Sequence, residues 1–157
     1  PDQMKIGQIF DMIRDLRQDQ SHIDEDLIKE FKLDRMSDKR MHTLSGGTRQ
    51  KVSASLAFLF NPRIMILDEP TAGLDPIAVE ILKEKILAEK NKDRTFLITS
   101  HIMSDLDELT SNVVYLEEGK ILFNDTIDLL KEETSEIKLG RAIATIMKRN
   151  LKESERV

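Results

Sequence analysis

The chain is predicted to be an α/β protein in which a helical subdomain precedes the C-terminal part of a parallel-sheet core. Three observations give this class. Up to about Met41 the apolar residues recur only at helical spacing. Ile64 to Leu67 and Thr95 to Ser100 are short apolar runs of strand length. Between them, Pro76 to about Ala88 has a helical pattern, and such alternation is expected of parallel strands joined by crossover helices. With 157 residues and 39% apolar content the chain can bury one core, although helical and sheet parts can form separate lobes.

Taken in order, Ile6, Ile9, Phe10, Ile13 and Leu16 mark an amphipathic first helix. Ile23, Leu27, Ile28 and Phe31 mark a second, opened by Asp24 and Asp26, whose charges suit a helix N-terminus. Ser45 precedes Gly46 and Gly47 and a segment in which Val52, Leu56, Leu59 and Phe60 share one face. This predicts a helix capped by Ser45 and ended near Asn61 and Pro62. Asp75 and Pro76 form another start, with Asp as N-cap and Pro where its missing N–H costs nothing. Met103, Leu106 and Leu109 give a short helix leading to Val113 to Leu116. Glu117-Glu118-Gly119-Lys120 then turns the chain into Ile121 to Phe123, a hairpin signature.

From Thr134 onward the pattern changes. Leu139, Ile143, Ile146, Met147 and Leu151 share a helical face, and Lys138, Arg141, Lys148, Arg149, Lys152 and Arg156 outnumber Glu153 and Glu155. Such a helix can lie on anionic lipid or dock on a partner. Packing on its own domain with a solvated charged face is the preferred expectation. No internal repeat or low-complexity tract is present.

The formal net charge of -5 argues against nucleic acid as a main partner, since phosphate binding needs a broad face of Lys and Arg. Without cysteine there is no disulfide framework and no thiolate metal site. No N-terminal stretch looks like a signal peptide, and the longest apolar runs fall far short of the ~20 residues that span a bilayer. A cytoplasmic location, with membrane association only through a partner, is expected.

Three short motifs carry the chemistry. Leu44-Ser45-Gly46-Gly47 places two glycines at a helix start, where the backbone can approach a ligand and free N–H groups favour a phosphate. The apolar run Ile64 to Leu67 ends in Asp68-Glu69, carboxylates at the end of a buried strand where parallel sheets bind ligands. A second apolar run ends in Ser100-His101. Alone, each has an ordinary alternative: a capped helix, a solvated acidic turn, a structural histidine. Their order and spacing favour the functional reading. His22 and His42 have no such context.

Together, from about Met4 to Leu130, these motifs resemble the C-terminal half of the nucleotide-binding domain of an ABC-transporter ATPase, a P-loop NTPase. The resemblance implies that Ser45, Gly46 and Gly47 bind the γ-phosphate of an ATP held by the opposite protomer of a head-to-tail dimer. Thr48 stands where the family most often has Gln and is not carried over. Asp68 would help hold Mg²⁺ through water, Glu69 would act as general base, and His101 would contact the γ-phosphate and position the attacking water. Thr71-Ala72-Gly73-Leu74-Asp75 matches the loop that in the family crosses the dimer interface, which implies an interface role for Asp75; its capping role is by itself a sufficient alternative, and the two are compatible. The family also implies a transmembrane permease partner, docked on the helical lobe, with the ATPase peripheral on the inner face of the membrane.

The family's P-loop, G-x-x-x-x-G-K-[ST], is absent from the sequence. The chain therefore reads as a fragment of an ATPase subunit, expected to be inactive alone because the P-loop Lys is missing. Residues 1–43 would be the helical subdomain, 44–133 the signature-helix, acidic-strand and switch-histidine part, and 134–157 a C-terminal amphipathic helix. The wording of the motifs and of Lys138 to Ala144 looks most like exporter-type ATPases, among them the ATPase of the copper-processing transporter that matures nitrous-oxide reductase. Two alternatives stay open: a soluble non-transport ABC ATPase, and a non-catalytic module supplying a half-site or binding a partner. The family's P-loop strand lies beside the strand ending at His101, so an exposed edge and a marginal or oligomeric fragment are expected.

Overall fold

The computed structural model describes residues 2–17, 23–92 and 94–154, with backbone only from 150 to 154. His22, Glu155 and Arg156, and the side chains of Leu151, Lys152 and Glu153, thus lie outside the described residues. Two compact units result, one reaching Thr99 and the other beginning at Ser100.

The first unit contains α1 (Ile6–Asp15), α2 (Asp26–Glu30), α3 (Gly46–Phe58), β1 (Ile64–Asp68), α4 (Pro76–Lys90) and β2 (Thr95–Thr99). α1 starts where the Lys5 N–H donates to Gln8 Oε1 at 2.9 Å, and it buries Ile6, Ile9 and Phe10, as its period requires. The front is not purely helical as the sequence predicts. Two 3₁₀ turns, Asp34–Met36 and Met41–Thr43, follow α2, and Arg40 forms a bridge back to Lys5. The Ile6 and Gly7 N–H groups donate to Lys39 and Ser37 carbonyls, so orphan donors of the first turn of α1 are satisfied by the returning chain. α2 buries Leu27 and Ile28 and packs on α3 and α4.

β1 and β2 pair in parallel with Ile64 opposite Thr95 and Asp68 opposite Thr99. Met65 and Leu67 are buried, and Phe96, on the same side, lies 6.2 Å from the Phe58 ring of α3. The other side is open: Ile64, Ile66 and Leu97 are 69%, 71% and 57% exposed. The expected bare edge is thus accompanied by a bare apolar face, a stronger association hazard than an edge alone. Replacing Ile66 and Leu97 together by Thr is expected to lower the apparent mass of the chain in light scattering while moving its thermal midpoint little, because neither side chain is buried.

The second unit contains α5 (Met103–Leu109), β3 (Asn112–Glu117), β4 (Lys120–Thr126), α6 (Ile127–Thr134) and α7 (Leu139–Ser154). β3 and β4 form the predicted hairpin, closed by Glu118 and Gly119 with φ of 48° and 76°. Two positive φ values in a two-residue loop match the right-handed twist of the strands, and glycine makes the second inexpensive. Thr126 caps α6 by accepting the Leu129 N–H at 3.2 Å. Leu139, Ala142 and Ile143 of α7 are buried with Ile127 and Leu130, and Ile146 and Met147 pack against them. The apolar side of α7 is therefore spent inside its own unit, while Lys138, Arg141, Lys148 and Arg149 face solvent. Among the described residues no helix is long and apolar enough to cross a membrane.

Candidate functional site

At the start of α3, Ser45 has extended dihedrals and its Oγ accepts from the Thr48 N–H at 3.3 Å and shares a 2.8 Å hydrogen bond with Thr48 Oγ1. Thr48, which the family pattern leaves out, is thus the partner that orients Ser45. Ser45 and Gly46 are exposed. The two glycines differ in their surroundings. A Cβ on Gly46 would meet nothing within 4 Å, whereas one on Gly47 would run into the Gly73 carbonyl oxygen. Gly47 is required by a close approach of α3 to the loop ending at Asp75. Gly47→Ala is expected to cost about 1 to 3 kcal/mol by forcing this backbone apart. Gly46→Ala should stay within about 0.5 kcal/mol, as a surface change. Urea midpoints of the two variants check the contrast.

The acidic turn is built at the end of β1. Asp68 is exposed, and its Oδ1 accepts from Thr99 Oγ1, the register partner in β2. Glu69 follows in the left-handed region with φ of 46°. Its N–H donates to the Thr99 carbonyl at 2.9 Å, and its carbonyl accepts from the Ala72 N–H at 3.1 Å. Gln50 of α3 donates from Nε2 to the Glu69 and Pro70 carbonyls, each at 3.1 Å. The signature helix and the acidic turn are therefore one hydrogen-bonded piece. A non-glycine residue in this region costs roughly 1 to 3 kcal/mol, and such strain is concentrated at functional sites, where it fixes a side chain's direction.

Asp75 caps α4 by accepting the Ala78 N–H at 3.0 Å, as its sequence context predicts. Lys51 Nζ of α3 also reaches its Oδ2 at 2.6 Å. The hydrogen bond from Lys51, and then that from the Ala78 N–H, hold the Asp75 carboxyl below the usual carboxylate range. Ser45, Gly46, Gly47, Asp68, Glu69 and Asp75 all belong to the first unit, and His101 stands at the start of the second. There the Ile102 N–H donates to Ser100 Oγ at 3.0 Å, shaping the turn that carries His101 into α5.

Sequence reasoning missed Gln50, Lys51 and Thr99, whose partners are set by tertiary approach, and set aside Thr48, whose contact with Ser45 is local. Among the described residues no three His, Cys, Asp or Glu side chains form a metal-binding group. Mg²⁺ takes one or two carboxylates and fills its shell with water and substrate phosphate, so the single carboxylate of Asp68, exposed at the end of β1, is of a kind that could hold it. Asp68 Oδ2 is available for this, because Thr99 engages only Oδ1. A cavity of about 550 Å³ in the second unit, lined by Met103, Asp107, Lys131 and Arg141 among others, contains none of the predicted site residues.

Residues 3–72 match the family model described as ABC transporter. A relative described as the uncharacterized ABC transporter ATP-binding protein YhaQ of Bacillus subtilis is 39% identical over 93 residues, 59% of this chain and 31% of the relative. The ABC transporter ATP-binding protein NatA of the same organism is 35% identical over 108 residues, 69% of this chain and 44% of NatA. The lantibiotic transport ATP-binding protein SrtF of Streptococcus pyogenes is 37% identical over 92 residues, 58% of this chain and 40% of SrtF. This chain thus spans less than half the length of these curated relatives. A solved structure described as the ATP binding subunit of an ABC transporter superposes with a TM-score of 0.83. It covers 94% of this chain and 64% of the other, at 24% identity, and shows a shared fold.

Proposed function

We propose, from the premise that these matches support the ABC transporter ATP-binding family for this chain, that it is part of an ATP-hydrolysing subunit that powers a transmembrane permease. The observation that carries this reading is the Gln50 bridge. It fixes the helix that begins at Ser45 against the backbone of the turn that follows Asp68, at Glu69 and Pro70, which supports reading the two motifs as parts of one machine.

In this proposal Ser45 and the N–H groups of Gly46 and Gly47 bind a terminal phosphate presented by a second protomer in a head-to-tail dimer. Each charge-assisted hydrogen bond contributes roughly 1.5 to 3 kcal/mol. Asp68 would hold Mg²⁺, which neutralises phosphate charge when bound. Glu69 accepts the proton of the attacking water, His101 positions that water, and Asp75 lies at the protomer boundary. Such chemistry is positioning plus electrostatics, so a chain without a P-loop Lys neither binds MgATP tightly nor turns it over. The subunit would lie on the cytoplasmic face of the membrane through its permease, with no nucleic-acid partner.

The exporter direction is part of the same proposal and rests on the wording of the motifs, since the relatives' names point both ways, one to Nod factor export and another to tungstate uptake. The copper-processing subfamily suggested by the wording of the motifs and the tail has no support among the relatives reported above. Joining the N-terminal half of a relative such as NatA ahead of this chain tests the reading. The chimera is expected to hydrolyse ATP while this chain alone does not; an inactive, folded chimera would contradict it.

A further inference from the structure

Helix α4 is gripped by ion pairs at both ends. At its N-terminus Lys51 of α3 meets the cap Asp75. Near its C-terminus Lys85 Nζ lies 2.6 Å from Asp24 Oδ2, 2.8 Å from Asp26 Oδ2 and 3.2 Å from Glu89 Oε1. Glu89, with a side chain 1% exposed, also lies 3.0 Å from Lys92 Nζ and 2.8 Å from Arg94 Nη1. Arg94 in turn donates to Asn61 Oδ1 at 3.1 Å, and the Asp24 N–H donates to the Leu59 carbonyl at 2.8 Å. Three carboxylates and three cations therefore meet where α2 begins, α3 ends, α4 ends and β2 begins.

A buried ionic cluster is a weak source of net stability, because desolvation opposes the attraction and apolar packing of equal volume does as well. What it supplies is mutual dependence of its buried members Asp24, Lys85, Glu89 and Arg94, with Asp26 and Lys92 as outer partners. Apolar residues of α2, namely Leu27 and Ile28, are buried in the same unit, and they can be re-exposed gradually. The charges cannot, since losing one partner leaves another buried and unpaired. We infer that the cluster around Lys85 and Glu89 is an ionic latch that sets how readily residues 24–33 open from α4. The other end of α4 keeps its own hold on α3 through Lys51, so α3 remains in place when the latch opens.

Hydrogen exchange resolved by residue tests this on the whole chain. The reporters in α2 are the Lys29, Phe31 and Leu33 amides, which donate to the Glu25, Leu27 and Ile28 carbonyls, and the reporters in α3 are amides from Arg49 onward. Lys85→Met is expected to speed exchange of the α2 set about tenfold or more, leaving α3 within about twofold, the signature of a local opening. Asp26 is 70% exposed, so Asp26→Asn folds and should speed the α2 set by about threefold through loss of one outer partner. Asp75→Asn, at the far end of α4, should leave the α2 set unchanged. Unchanged α2 exchange in Asp26→Asn, or acceleration of α2 and α3 together in either latch variant, would overturn the latch.

Discussion

In a chimera carrying a relative's P-loop half ahead of this chain, Glu69→Gln lowers ATP turnover by about 10² to 10⁴-fold, the usual contribution of a positioned general base. The corresponding barrier increase is about 2.7 to 5.5 kcal/mol. Gln keeps the size and hydrogen-bonding shape of the side chain but removes the proton-accepting charge. The turn is held through its own backbone, by the main chains of Thr99 and Ala72 and the side-chain amide of Gln50, and is expected to survive the change. The KM for ATP should therefore move little while kcat falls, the pattern of an interaction made in the transition state. Glu69→Gly separates chemistry from strain. Glycine adopts the 46° φ without penalty, so this variant should be no less stable in urea and equally inactive. An active Gln variant would remove Glu69 from the proton-transfer role.

The second large effect concerns the far end of α4. Glu89→Ala is expected to destabilise the first unit by about 3 to 5 kcal/mol, since it leaves Lys85 and Arg94 charged and largely buried without their common partner. Their side chains are 9% and 14% exposed. Burial opposes the charge on Glu89, yet hydrogen bonds from Lys92 and Lys85 and the field of Lys85 and Arg94 outweigh it, so its carboxyl lies below the ordinary range. The Lys85 hydrogen bond and charge depress Asp26 as well. Both folded values lie below unfolded values of about 4.3 and 3.9. Their contribution is therefore fully present above those values and is lost as pH falls through the lowered ones. A urea midpoint flat from neutral pH to about 5, then falling, is expected for the native chain, with a shallower acid slope in Glu89→Ala.

Much of the fold was legible because its signals are local. Ser45, Asp75-Pro76 and Glu118-Gly119 announce a cap, a cap with proline, and a hairpin turn from adjacent residues alone, and the structure has all three. The parallel pairing of Ile64 to Asp68 with Thr95 to Thr99 followed from run length and the helix between them. What was not legible depends on approach between distant segments. Asp24 and Lys85 are 61 positions apart, Gln50 reaches a turn 19 and 20 residues on, and Gly47 looks like a phosphate glycine until its contact with Gly73 supplies a packing reason. Glu69 carries no glycine-like signal for its left-handed backbone, because two tertiary hydrogen bonds and one local turn bond, rather than its own preference, hold it there. Residues 34–43 read as helical in period but fold into 3₁₀ turns, since the chain must return to cover the start of α1.

Under the proposed function this chain would carry the phosphate-type helix start at Ser45 and the general-base carboxylate of Glu69 but only part of a nucleotide site. Calorimetric titration of MgATP into the chain alone, with Glu69→Gln in parallel, tests it most directly. No saturable heat in either sample is the predicted result. Saturable binding by the unaltered chain would contradict the claim, because it would mean that these residues complete a phosphate site without a P-loop.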